Sequence, residues 1–378
     1  MSTSAFDSYR PPETQGRRER RRAGEHRDPR GLAARGSDWL SGRQRGRGEQ
    51  AVVPDAEFRS YYGQPVIKPV PWKHEIPAYL FTGGVAAGSG MIGAAAHAVG
   101  LEALRRNARL TSMTAVAVSG GLLVSDLGRP ERFINMLRTV KLTSPMSVGT
   151  WIFSAFSAFG VLSTAAEVDR MLGGRSGGRG LPVLGGVVRP LETIGSLGSF
   201  AFGPPLAAYT AVLLSDTATP VWLESRRTLP FVFVSSAAMA SSGLQLVLTP
   251  VSQTRPVQRL AVLGAVGDLV ATEAVERRLR ELDIDDTIHH GRPGAMMRAA
   301  KVLTIAGGVG SLLARRSRTV AVASGLALAT ASALTRFAVV EAGIESAKDP
   351  RHTVATQKAR LEERRARGVV HDSITTAR

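Results

Sequence analysis

Between residues 76 and 340, long apolar runs alternate with short polar breaks, and polar, Arg-rich stretches lie on either side. A helix needs about 20 apolar residues to cross roughly 30 Å of hydrocarbon. The pattern predicts eight such helices: Ile76–Gly100, Leu110–Leu127, Ser147–Ala166, Ile194–Leu214, Leu229–Leu248, Leu260–Val275, Ala299–Ala314 and Thr319–Val340. The first contains no Asp, Glu, Lys or Arg. The fourth is interrupted by Pro204 and Pro205, and the sixth holds Asp268 and Glu273. The seventh is short, with Lys301 near its start, and the eighth carries Arg336 near its end. Barrel strands would alternate over about ten residues, and these runs do not. The expected fold is therefore all-α, a polytopic membrane helical bundle over residues 76–340. A basic, mostly disordered tail (residues 1–75) precedes it and a basic tail (residues 341–378) follows. Small residues four apart, Gly84/Gly88 and Ala86/Gly90, predict close helix packing.

Composition changes this picture little. Mean hydropathy near zero averages polar tails with apolar spans. The net charge of +17 raises the question of nucleic acid. The excess sits in tails and loops beside apolar runs, as in membrane proteins, so lipid is the expected partner and nucleic acid is not. The basic tails favour cytoplasmic termini in a multi-pass protein of the cell membrane. With no cysteine, the chain by itself holds no disulfide and no thiolate-bound iron–sulfur cluster. The twin arginines of GRRERRR lack the apolar segment that an export signal needs close behind them.

The richest stretch is SDLGRPERFINMLRTVKLTSPMSVGTW, Ser125 to Trp151. Phe133, Met136 and Leu137 have the spacing of a short interfacial helix. Ser144 is placed to cap the third span, with Pro145 at its first helical position. The motifs DLGRPERFINMLR and TSPMSVGTW, after WKHEIPAYLFTGGVAAGSG, resemble the NrfD/polysulfide reductase membrane-subunit family. The resemblance covers residues 72–151 by motif and 152–340 by span count alone. It implies an eight- or ten-helix anchor that exchanges electrons between a quinone pool (menaquinone or ubiquinone) and a ferredoxin-like iron–sulfur subunit. A molybdopterin catalytic subunit usually accompanies them. It also implies a quinone site at the start of the first span.

The residues bear on this independently. Of seven histidines only His97 lies inside a span, so a bis-His haem is not expected. Topology puts His74, Tyr79, Asp126, Arg129, Ser144, Trp151 and Glu273 towards one face. His, Tyr and carboxylate groups suit the hydrogen bonds and proton traffic of a quinone head. Arg129 would orient or pair with Asp126, and Trp151 and His74 also suit interfacial positions. Asp268 is the deepest acid in the chain and a candidate for proton transfer. Glu273 has Arg277 one turn on as a partner. Arg336 can snorkel to the interface without a function. Two other classes stay open: a transporter or ion-conducting subunit built on Asp268, Glu273 and the broken fourth span, and a purely structural anchor.

Overall fold

A computed structural model describes residues 65–127, 130–175 and 184–368. Most of the predicted N-terminal tail, residues 369–378 and Arg129 lie outside the described residues. Every element among them is helical. The long helices are α1 (Glu75–Ala98), α2 (Glu102–Asp126), α4 (Pro145–Arg175), α5 (Leu184–Ser215), α7 (Leu229–Leu248), α8 (Arg255–Glu281), α10 (Gly291–Leu313) and α11 (Arg318–Lys348). The short ones are α3 (Phe133–Arg138), α6 (Pro220–Glu224) and α9 (Asp286–His289). A final helix, α12 (Pro350–Ala366), follows. Residue 341, the predicted start of the C-terminal tail, falls inside α11.

Among the described residues, six helices are long and apolar enough to cross a membrane: α2, α4, α5, α7, α10 and α11. The chain is a multi-pass membrane protein. Of the eight predicted spans, the first (α1) and the sixth (α8) fall short on composition. Each has a reason in the packing. Helix α1 is the axis of the bundle, buried along most of its glycine- and alanine-rich length, so little of it needs to be lipophilic. Helix α8 divides its faces: Leu263, Val266 and Val270 point outwards, while Asp268, Thr272 and Glu276 are buried.

Small residues set the approach of the axis to its neighbours. A Cβ on Gly88 would collide with Ser241 Oγ and lie 3.0 Å from the Ala237 carbonyl oxygen, so α1 and α7 touch backbone to backbone there. Gly203 serves the same purpose on α5, where a Cβ would come 3.3 Å from the Ala87 carbonyl oxygen. The expected interruption of the fourth span is not found. Helix α5 runs through Pro190, Pro204 and Pro205 without a break. Prolines are tolerated in membrane helices because neighbouring groups can satisfy the freed carbonyls.

The helices form two groups of four. Helices α1, α2, α4 and α5 pack each on the next, and α5 closes back on α1. Helices α7, α8, α10 and α11 repeat that order. The groups meet along α1 and α7, with α5 against α7 and α11 against α1. These contacts have the pattern of a twofold axis parallel to the helices.

The starts of α1, α4, α7 and α10 share one face with the ends of α2, α5, α8 and α11. Over the second group this face is capped. Trp222 of α6 donates from Nε1 to the Val339 carbonyl at 2.8 Å and stacks on Trp72 with centroids 5.5 Å apart. His352 of α12 lies 3.0 Å from Asp286 of α9, and Arg360 lies 3.4 Å from the buried Glu224. Asp349 caps α12 by accepting from the Arg351 N–H at 2.8 Å.

Candidate functional site

At the capped face, the first group of helices places several polar side chains close together. Tyr79 sits one turn into α1 and is 2 % exposed. Its hydroxyl is in hydrogen-bond contact with the hydroxyl of Tyr209 on α5, and its ring meets Phe153 of α4 edge to face at 6.4 Å. Gly149 leaves the room that the Tyr209 ring fills. One turn deeper, Thr82 Oγ1 and Ser119 Oγ of α2 are 2.7 Å apart. Asp126 ends α2 in an exposed position, and the charges that act on it are Glu75 and Lys73 at the start of α1. Oxygen Oε2 of Glu75 is buried without a hydrogen-bond partner. A groove of about 520 Å³ between α1, α2 and α7 runs from Thr82 towards the opposite face, lined by Phe81, Val85, Asn107, Thr111, Ala115 and Leu248 among others.

The remaining sequence candidates are placed differently. His74 is exposed at the N-cap of α1. Ser144 accepts from the Ser147 N–H at a long 3.5 Å, ahead of a helix that starts at Pro145. Trp151 is 40 % exposed, and its Nε1 donates to the Thr139 carbonyl at 3.3 Å. It lines a surface cavity together with Val140 and Phe202. Glu273 faces outwards and pairs with Arg277 at 3.2 Å and Arg280 at 2.7 Å.

Asp268 is buried at the middle of α8, at 4 % exposure. The cation acting on it is Arg336 of α11. Arg336 does not snorkel, as its position near the end of the predicted span suggested. It is 1 % exposed, lies 3.7 Å over the Phe233 ring and donates to the Phe233 carbonyl at 2.6 Å. The reason is steric: Gly84 on α1 leaves space for the guanidinium inside the bundle, 3.3 Å from where a Cβ would be.

A second charged cluster lies at the opposite face, which the sequence reading missed. Arg109 Nη1 of α2 donates to Glu192 of α5 at 2.5 Å and to Glu167 of α4 at 3.1 Å. Its Nη2 donates to Ser196 at 2.8 Å. Arg105 reaches Glu167 at 2.8 Å, and Arg170 pairs with Glu192. His97 Nδ1 lies 3.4 Å from Glu192. The cluster ties α1, α2, α4 and α5 together with charges that are costly to bury alone. One signal was available: Glu167 and Glu192 stand one and two residues outside the predicted third and fourth spans.

Residues 66–273, more than half of the chain, match the family model described as "Polysulphide reductase, NrfD". The chain matches none of the curated proteins compared with it.

Proposed function

Because the chain belongs to the polysulphide reductase NrfD family, we propose that it is the quinone-reactive membrane anchor of a multi-subunit oxidoreductase, with its quinone site at the Tyr79 end of the first four-helix group. The family implies a quinone-interacting anchor role; the site and the residues are our reading. The single observation that carries it is the buried Tyr79–Tyr209 hydroxyl pair, one turn into α1 from Glu75, whose charge acts in turn on Asp126 at the end of α2. A bound quinone supplies the two-electron, two-proton couple. Tyr79 donates a hydrogen bond to one of its carbonyl oxygens and Tyr209 orients the Tyr79 hydroxyl. Asp126, exposed at the helix end, exchanges protons with water, and Glu75, four residues before Tyr79 on α1, links it to the tyrosines. His74 lies at the entrance. Arg129, three residues after Asp126 in sequence, is assigned the role of orienting it. Ser144 and Trp151 fix the start of α4, which carries Phe153 against Tyr79. The groove beside Thr82 is apolar enough for an isoprenoid tail.

In this reading all eight long helices cross the bilayer, α1 sheltered as the axis and α8 by its divided faces. The electron partner is an iron–sulfur subunit docked on the capped face where the first group is not covered by α12, with a molybdopterin subunit behind it. The exposed apolar side chains Ile134, Leu137, Val140 and Leu142 lie there. The basic tails favour the cytoplasm for that face. Continuity of α5 through its prolines removes the broken helix on which a transporter reading rested.

The test is quinol turnover by the purified complex. Tyr79→Phe and Asp126→Asn are each expected to lower turnover by about 10²-fold, the range for loss of a positioned acid or base. Tyr209→Phe should raise KM more than it lowers kcat. Wild-type turnover in both Tyr79→Phe and Asp126→Asn would overturn this site.

A further inference from the structure

Helix α8 carries a feature that the quinone site does not use. Asp268, Thr272 and Glu276 are four residues apart, so they form one stripe along the helix, about 12 Å long. All three are 4 % exposed. Each has a buried oxygen without a hydrogen-bond partner: Asp268 Oδ1, Thr272 Oγ1 and Glu276 Oε1. Ser225 Oγ, 1 % exposed, is in the same condition beside them. At the inner end, Arg336 keeps Nε and Nη1 without partners. Buried polar atoms left unsatisfied are rare in folded proteins, and water is their usual partner. A small cavity of about 10 Å³, walled by apolar side chains such as Trp222, Val232 and Ile288 and by Ser225, Thr272 and Glu276, has the minimum room for one water at the outer part of the stripe and is not lined by Asp268.

The charged groups around the stripe differ at its two ends. At the outer end, Lys301 of α10 reaches the other oxygen of Glu276 at 2.7 Å and is 34 % exposed. Glu224 of α6, beyond it, is occupied by Arg278 and Arg360. At the inner end, Arg336 of α11 is the one charged group among the described residues that acts on Asp268. Helix α7 contributes hydroxyls on this side, such as Ser235 and Ser236, and no titratable group. The stripe therefore opens towards the capped face and closes on an arginine in the middle of the bundle.

We propose that Glu276, Thr272 and Asp268 line a proton file that connects water at the capped face with Asp268 at the centre of the membrane. A proton enters at Glu276, passes by water and the Thr272 hydroxyl, and comes to rest on Asp268 as an O–H bond. It returns to water by the same route. Arg336 blocks passage to the far side, so Asp268 is a proton-loading site served from one face. This does not depend on quinone binding. Glu273, three residues before Glu276, lies on the exposed face and takes no part.

The experiment uses the full chain in sealed vesicles of known orientation. Infrared difference spectra are recorded after a pH step on one side. A protonated-carboxyl band lost in Asp268→Asn is expected to follow the pH at the capped face. Should Asp268→Asn fail to insert, Asp268→Glu shifts the band and makes the same assignment. Thr272→Val, nearly isosteric, should slow the response by at least about tenfold, and Glu276→Gln likewise. Three results would each overturn the file: a band that follows the opposite side, a wild-type response in Thr272→Val, or no Asp268 band that changes with pH. None of these readouts involves quinol turnover, so failure here is distinct from failure of the quinone site.

Discussion

Arg109 and Glu192 show how single residues carry the first half of the bundle. Arg109 is 2 % exposed and meets two glutamates and a serine. Removing one member of a buried ion pair strands the other, at a cost of about 3–5 kcal/mol. Glu192→Gln should therefore lower unfolding stability in detergent by about that amount, since it leaves both Arg109 and Arg170 short of a carboxylate. Glu273→Gln on the exposed face of α8 should leave the unfolding midpoint essentially unchanged, because solvent screens exposed pairs. Denaturant titration of the two variants side by side checks the contrast. The sequence did not distinguish these glutamates. Hydropathy counts charges against a span, so it trimmed the third and fourth spans to exclude Glu167 and Glu192. Only the packing of α2 between α4 and α1 brings their partners within reach. Tyr209 was overlooked for a related reason: its role comes from a residue 130 positions away.

At the scale of elements, helix existence was legible and helix extent was not. The predicted Leu229–Leu248 coincides with α7, and the short helix expected near Phe133 is α3. Helices α4 and α8 run several residues beyond the predicted spans at both ends together, because charged turns of a helix remain helical once outside hydrocarbon. The Gly84/Gly88 pair was read correctly as a packing face, though its partner on α7 was not. Gly88→Val should push α1 from α7 and destabilise the bundle by roughly 1–3 kcal/mol, the usual cost of overpacking, read as a lower unfolding midpoint. Helix α12 depends on its cap. Arg351 donates to the Asp349 carboxylate and holds its pKa below the ordinary carboxylate value of 3.8. A depressed carboxylate stabilises the folded form above its unfolded pKa and loses that effect as pH falls through the folded value. Hydrogen exchange at the start of α12 should therefore stay slow down to about pH 4 and rise only below it, whereas Asp349→Ala should exchange fast at neutral pH.

For the whole molecule, the two four-helix groups differ in how their ends are closed. Among the described residues, α6, α9 and α12 cover one face of the second group, while the first group, which carries Tyr79 and Asp126, lacks such a cover. Truncation after Lys348 removes the His352–Asp286 and Arg360–Glu224 contacts. The bundle should still insert, but amide exchange over residues 282–290 should rise by about tenfold or more as the segment opens locally. Unchanged exchange would mean that α9 holds its place without α12.

What the amino-acid sequence determined by itself was the solvent of each segment. Apolar length decides which parts enter lipid, backbone satisfaction makes them helical, and local motifs identify the family. What only the tertiary structure decided was the partner of each polar side chain inside the bundle. Arg109 and Glu192, and Tyr79 and Tyr209, are far apart in sequence and meet because of which helix lies beside which, and Arg336 acts on Asp268 for the same reason. Helical periodicity assigns a residue to a face, and only packing chooses what that face meets. Lipid offers no hydrogen bonds, so that choice governs both where charge can be buried and where chemistry can occur.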